Sequence, residues 1–308
     1  MAKTISFVIP VYRNEGSILP TFNKIKELFL ETKLKYQFIF INDGSDDNSL
    51  NELQSVFLSD KANVKVISFS RNFGQVSAVI AGFKEVSGDA VIMMSADLQE
   101  PIELIGQMIQ KWETGSEIVI CNRIDREDNY VANITSSFFY KLMKSVNPKM
   151  PRGGFDFLLL DRKALDVFNS LDERNRFIQG DILWLGFALT FIPYKRLKRS
   201  IGKSQWTLKK KIKYFIDGFL TTSYTPIRIM SLMGLITAFG GFLYALVILY
   251  YKLFKDVPFD GWAPIMILIL IIGGLIMLML GIIGEYIWRT YDETRKRPIY
   301  IIKEKYEN

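Results

Sequence analysis

Asp97 and Gln99 stand two residues apart just beyond the apolar run Ala90–Met94, within Met-Met-Ser-Ala-Asp-Leu-Gln-Glu-Pro. On an extended backbone, residues two apart project to the same side, so these oxygen donors could share one hard cation. An acidic first turn of a helix opening at Pro101 would explain the same residues without any ligand. Three further polar clusters follow apolar runs: Tyr12-Arg13-Asn14-Glu15 after Ile5–Val11, Asp43 after Tyr36–Ile41, and Arg71-Asn72 after Val64–Phe69. Turn formation accounts for any one of them. Four at the carboxyl ends of strands would gather along one rim of an α/β sheet, where a nucleotide-sized crevice is expected. The basic segment Lys195–Trp206 sets arginines and lysines near Gly202, Ser200 and Ser204, which suits a phosphate or a membrane-facing basic patch.

Exclusions narrow the chemistry. The chain has no histidine, so every mechanism that needs a histidine base or metal ligand is ruled out. The single cysteine, Cys121, rules out an intrachain disulfide and a Cys-rich zinc site. The Gly-x-Gly-x-x-Gly dinucleotide fingerprint and the phosphate-cradling Gly-Lys-Ser/Thr loop are both missing.

The elements that must position these groups alternate. Strand-like runs at Ile5–Val11, Tyr36–Ile41, Val64–Phe69, Ala90–Met94 and Glu117–Cys121 are separated by helical patterns to about Thr32, after Asn42-Asp43-Gly44-Ser45-Asp46-Asp47, and over Gln75–Val86. Short connections between them indicate a mostly parallel sheet covered on both faces. Ser45 or Asp46 is expected to cap the second helix. After Cys121 come Asn122-Arg123, the charged run Asp125–Asp128, an amphipathic segment Tyr130–Val146, and strand-like Phe155–Leu160 and Ala188–Tyr194.

The 308 residues, 49% hydrophobic, exceed one soluble domain, and the apolar excess is local. Ile229–Tyr251 and Gly261–Gly284 contain no charged residue, and each matches the ~20 residues that cross a bilayer as a helix. Lys209, Lys210, Lys211, Lys213 and Arg228 precede the first run, while Arg289, Arg295, Lys296 and Arg297 follow the second. Positive charge at both outer ends of the hairpin places both termini in the cytoplasm. Thr207–Ile227 reads as an interfacial helix. The expected organisation is a catalytic domain over 1–203, juxtamembrane helices over 204–228, two spans at about 229–251 and 263–285, and a cytoplasmic tail over 289–308. The net charge of +7 fits attraction to anionic lipid. Gly240, Gly241, Gly273 and Gly274 would let spans pack closely within or between chains, so a homo-oligomer is considered.

Val8-Ile9-Pro10-Val11-Tyr12-Arg13-Asn14-Glu15, Asn42-Asp43-Gly44-Ser45, Arg71-Asn72-Phe73-Gly74, Ala96-Asp97-Leu98-Gln99-Glu100-Pro101 and Glu173-Arg174-Asn175-Arg176-Phe177, in that order, resemble the polyprenyl-phosphate glycosyltransferases. These are inverting members of glycosyltransferase family 2 with a GT-A fold, and include dolichol-phosphate mannose synthases and bacterial bactoprenol glucosyltransferases. Gly284-Glu285-Tyr286-Ile287-Trp288-Arg289 and Arg297-Pro298-Ile299-Tyr300 also look like the bacterial membrane-anchored branch. The resemblance implies an α/β GT-A domain with interfacial helices and a transmembrane hairpin. It implies a nucleotide-sugar donor, UDP-glucose or a UDP-N-acetylhexosamine, a polyprenyl-phosphate acceptor, a membrane and no nucleic acid. Pro10, Tyr12, Glu15 and Asp43 would hold the base and ribose, with Arg71 and Asn72 also on the donor nucleotide. Asp97 and Gln99 would sit at the diphosphate and an Mg²⁺ or Mn²⁺ ion. Arg123, Arg199, Lys203 and Ser204 would lie near the acceptor phosphate or the donor diphosphate. Where many relatives carry Asp-x-Asp, this chain has Ser95-Ala96-Asp97, a poorer cation site.

A lipid monophosphate, with a second pKa near ~6, is already largely dianionic at neutral pH and attacks without a general base. The assistance falls to the departing diphosphate, at Asp97, and to arginines such as Arg123 that draw two anions together. Asp181 is an alternative catalytic carboxylate, set against a plain role as helix cap or arginine partner. Glu100 reads as part of a helix's first turn. Two other readings stand beside this one: a non-catalytic nucleotide-sugar-binding membrane protein, and a transferase of the same fold with a glycan acceptor.

Overall fold

The computed structural model describes residues 2–30, 32–124, 144, 148–151, 154–197, 225–254 and 262–308. Two compact units emerge: one comprises Met1–Phe219 together with Arg297–Asn308, the other Leu220–Lys296.

In the first unit the apolar runs become strands β1 (Thr4–Val11), β2 (Lys35–Asn42), β3 (Val64–Phe69), β4 (Ala90–Met93), β5 (Ile118–Arg123), β6 (Phe157–Asp161), β7 (Leu189–Tyr194) and β8 (Ile302–Tyr306). They form one eight-stranded sheet in the order β7-β5-β6-β4-β1-β2-β3-β8. β1 pairs in parallel with both β2 and β4, and β2 with β3. β6 is antiparallel to β4 and β5, while β7 is parallel to β5. The carboxyl ends of β1, β2, β3, β4, β5 and β7 therefore share one rim, and the chain enters β6 from that same rim.

Both faces of the sheet are covered, which is why its strands are apolar almost without interruption. Alternate residues serve the two sides. Phe7, Ile9, Phe38 and Phe40 pack under helices α1 (Ile18–Leu30), α2 (Ser49–Ser59) and α4 (Leu104–Glu113). Val8, Ile39 and Ile41 pack under α3 (Gln75–Lys84), α5 (Arg162–Ser170) and α6 (Ile178–Trp184). Stacking of Phe7 on Phe38 at 5.2 Å adds about 0.5–1.5 kcal/mol beyond the area buried.

Two features depart from the sequence reading. The segment after the apolar hairpin returns to the sheet: β8 pairs antiparallel with β3, and Tyr306 packs on Phe57 and receives a hydrogen bond from Gln54 Nε2 at 2.7 Å. The cap of α2 is also different. Ser45 Oγ accepts from Arg13 N and Asp46 chelates the Arg13 guanidinium, so neither serves the helix; Asp47 Oδ1 accepts from Ser49 N instead.

The second unit contains α7 (Thr225–Phe254) and α8 (Trp262–Thr294). Pro226–Tyr251 and Ile271–Thr294 are long and apolar enough to cross a membrane, with mean hydropathy 2.2 and 1.9 and neither window buried. The interfacial segment over 207–224, Asp125–Asp128 and nearly all of Tyr130–Val146 lie outside the described residues.

Candidate active site

The first two rim loops are laced together. Tyr12 N donates to Asn14 Oδ1 at 3.0 Å, Asn14 N to Ser49 Oγ at 2.9 Å, and Asn48 N to Glu15 Oε2 at 3.3 Å. Pro10, near the end of β1, and Tyr12 are half-buried, while Glu15 is exposed. Arg13 is held at φ 53°, a left-handed conformation that costs a non-glycine residue energy and is sustained here by Asp46 and Ser45.

Asp43, 3% exposed, uses its carboxylate to bind the third loop: Phe73 N donates to Oδ1 at 2.6 Å and Gly74 N to Oδ2 at 2.9 Å. Arg71 and Asn72 are exposed, with Arg71 over the Phe73 ring at 4.1 Å. Gly44 adopts φ 63°, and a Cβ there would stand 2.3 Å from the Arg71 carbonyl carbon. Any side chain meets both the strained backbone and a wall of main chain. Gly44→Ala is expected to cost roughly 2 kcal/mol or more, read as a lower urea midpoint. A wild-type midpoint would show that this close approach is dispensable.

Beyond β4, Asp97 is 5% and Glu100 1% exposed. Ser95 Oγ lies 2.8 Å from Asp97 Oδ1 and also hydrogen-bonds Glu100 Oε2. Burial, then the charge of Asp97, raise the Glu100 pKa. Glu100 is thus no part of a helical turn: α4 begins four residues later, and the carboxyl faces inward.

Asp97-Leu98-Gln99 is not extended. Leu98 has φ 55°, Gln99 N folds back toward Asp97 Oδ1 at 3.3 Å, and Gln99 Nε2 donates to Leu197 O at 3.2 Å. Leu197 N in turn donates to Gln99 O at 2.9 Å. These bonds fasten the start of the basic segment to the Asp97 loop, and bring Arg196 Nη2 within 3.9 Å of Asp97 Oδ2. Arg199, Lys203 and Ser204 lie outside the described residues.

Arg123, at the end of β5, is 9% exposed and ion-paired to Asp156, the residue just before β6. Its Nε donates to Tyr194 Oη at 3.4 Å. Burial opposes the guanidinium charge, but Asp156 and then Tyr194 more than restore it, so its pKa is raised. Tyr194 is pushed up to about 12 by burial and then by Glu100. Asp181 sits in the first turn of α6, where its carboxylate accepts from Arg176 Nε at 2.8 Å. Burial raises its pKa while Arg176 pulls it back. Gln179 Nε2 donates to Phe155 O at 2.7 Å, tying the same helix to the approach of β6.

Pro10, Tyr12, Asp43, Arg71, Asn72, Asp97, Gln99 and Arg123 therefore share one rim. Asp156, Tyr194 and Arg196 were not singled out from sequence. Asp156 precedes an antiparallel strand, so no polar-after-strand signal marks it, and Arg196 is one of several basic residues until register sets it beside Asp97.

The three-layer α/β domain, with an acidic loop at the end of β4 and polar loops along the rim, has the GT-A fold. Mannosyl-3-phosphoglycerate synthase from Rubrobacter xylanophilus shares that fold, with a TM-score of 0.51 and 17% identity over 70% of this chain and 71% of that one. The mannosyltransferase PcManGT from Pyrobaculum calidifontis, in complex with GDP-Man and Mn²⁺, also gives 0.51, at 14% identity over 72% of this chain and 64% of that one. The family model Glycosyl transferase family 2 matches residues 6–168. The glycosyltransferase YkcC of Bacillus subtilis is 40% identical over 98% of this chain and 94% of its own length. The prophage bactoprenol glucosyl transferase homolog of Escherichia coli is 36% identical over 97% and 98%, and the bactoprenol glucosyl transferase of Shigella phage SfX 36% over 98% and 99%. The chain belongs to glycosyl transferase family 2.

Proposed function

We propose that this glycosyltransferase moves a single sugar from a nucleotide-sugar, UDP-glucose or a UDP-N-acetylhexosamine, to a polyprenyl phosphate at the cytoplasmic face of a membrane, with inversion at the anomeric carbon. The observation that carries this reading is the bonding of Arg196-Leu197, the start of the basic segment, to the Asp97 loop. It sets Arg196, a cation able to pair with phosphate, at the place where the donor diphosphate is expected. The bactoprenol acceptor in the names of relatives matched over nearly their full length supports the same conclusion.

Asp43 and the Tyr12–Glu15 loop would receive the nucleoside, and Arg71 and Asn72 lie exposed beside them. Asp97 would face the diphosphate, with Arg196 and Arg123 neutralising the approaching phosphate. Among the described residues no three acidic, cysteine or histidine side chains converge. Mg²⁺ or Mn²⁺ would be held by one or two protein oxygens, with substrate phosphate and water completing the shell. Glu100 Oε1, buried and without a hydrogen-bond partner, adds an oxygen to the neighbourhood, and Gln99 keeps its amide oxygen for the purpose. Such an ion would neutralise charge on the departing nucleoside diphosphate. The apolar helices α7 and α8 would span the membrane with both chain ends in the cytoplasm, and the basic segment with residues 204–228 would lie at the surface. Gly240, Gly241, Gly273 and Gly274, where a Cβ would meet nothing within 4 Å in the single chain, leave room for spans of a homo-oligomer to approach.

Membranes containing the protein, given radiolabelled UDP-glucose and undecaprenyl phosphate, are expected to form an organic-extractable labelled lipid, and EDTA is expected to abolish it. Absence of product across a panel of UDP- and GDP-sugars sinks the proposal. Nucleotide binding without turnover would instead mark a binding protein, and label in a glycan would move the acceptor.

A further inference from the structure

The residues between α8 and β8 lie at the rim, because β8 runs antiparallel to β3 and Ile302 pairs with Phe69 at the end of that strand. Ser70 N donates to Ile301 O at 3.0 Å, and Arg174 Nη1 donates to Arg297 O. Between these anchors Tyr300 is half-buried and stacks on Phe69, with ring centroids 5.0 Å apart and planes at 13°. Phe69 meets Phe73 edge-on at 5.7 Å and 88°. Phe73 and Gly74 are the residues whose backbone N–H groups the Asp43 carboxylate holds. Ser77 Oγ, in the first turn of α3, lies 3.2 Å from Phe73 O and 3.4 Å from Ile299 O, so its one hydroxyl hydrogen can be given to either the loop or the tail.

We infer that Tyr300 is a positioning residue for the donor nucleotide: stacked on Phe69, it fixes Phe73 and through it the orientation of Asp43. The chain beyond the apolar hairpin thereby becomes a working part of the site at its opposite end. The physical reason is that Asp43 is oriented by a loop with little regular structure of its own, between β3 and α3. A loop of that kind takes its geometry from what packs behind it, and here that backing is an aromatic ladder whose last ring comes from about 230 positions further along the chain. Tyr300 touches neither nucleotide nor sugar on this account; it acts through two phenylalanines.

This inference rests on the reading of the Asp43 rim as the donor site. The test uses the full-length protein in detergent, with calorimetric titration of whichever of UDP and GDP the wild type binds more tightly. Tyr300→Ala is expected to weaken binding roughly ten-fold, and Tyr300→Phe, which keeps the ring, to bind within about two-fold of wild type. If Tyr300→Ala does not fold, Tyr300→Leu, which fills much of the space without stacking, is read in its place. Unchanged affinity on loss of the ring overturns the inference, as does equal weakening by Tyr300→Phe. Asp43→Asn is measured alongside. If Asp43→Asn weakens binding and ring loss does not, only the role of Tyr300 fails. If Asp43→Asn binds as wild type, or neither nucleotide binds at all, the donor-site reading itself fails.

Discussion

Asp97→Asn is expected to lower the rate of lipid labelling by roughly 10³-fold while the thermal midpoint stays level or rises. The asparagine keeps an oxygen for the Ser95 hydroxyl, which lies 2.8 Å away, but removes the charge that would face the donor diphosphate. Removing one group aimed at developing charge in a water-poor site typically costs about 10²–10³ in turnover, and here the group would also hold the cation. Stability moves the other way because Asp97 is 5% exposed and its charge is one of the causes that raise the Glu100 pKa. Taking that charge away relieves a buried repulsion. Stopped assays of labelled lipid beside a melting curve decide the matter, and wild-type turnover in the variant would remove Asp97 from the chemistry.

The second large effect concerns Arg176 and Asp181. Their side chains are 2% and 9% exposed, joined at 2.8 Å, with the guanidinium 3.9 Å over the Phe168 ring. A buried pair is a weak source of net stability, yet breaking one is costly because the survivor stays charged without a partner. Arg176→Met is expected to lower unfolding free energy by about 3–5 kcal/mol. Arg176→Met combined with Asp181→Leu is expected to recover most of that loss. The double variant also separates two roles for Asp181. If it folds and retains labelling activity, Asp181 is a structural partner of Arg176. If it folds and is inactive, Asp181 takes part in the reaction. Equal stability of wild type and Arg176→Met, measured by urea unfolding, would contradict the view of this pair as an interdependent unit.

Much of the scaffold was legible because it is written in local patterns. Val64–Phe69 is the strand its β-branched run suggests, and the runs at Ile5, Tyr36 and Ala90 begin or end within about a residue or two of the observed strands. The polar clusters after those strands do meet on one rim, since parallel strands joined by helices leave no other place for their carboxyl ends. The local geometry of Asp97-Leu98-Gln99 departs from what its spacing suggests. Spacing alone favours an extended reading, whereas contacts from Leu197, ninety-eight positions away from Gln99 by chain, hold a left-handed turn at Leu98. Glu100, next to Pro101, suits the first turn of a helix by sequence. Its carboxyl is instead drawn under Ser95 into the core.

By itself, the order of residues determined the alternating strands and helices, the two apolar helices, the absence of histidine chemistry and the polar ends of β1 to β4. Those follow from side-chain periodicity and residue type over short windows. Only tertiary structure decided that β6 runs antiparallel between β4 and β5, delivering Asp156 to Arg123, and that β8 returns to β3, delivering Tyr300 to the loop bound by Asp43. Strand pairing joins segments far apart in the chain, and its energy depends on which partner edge is left open once the other strands are placed. No local window contains that information.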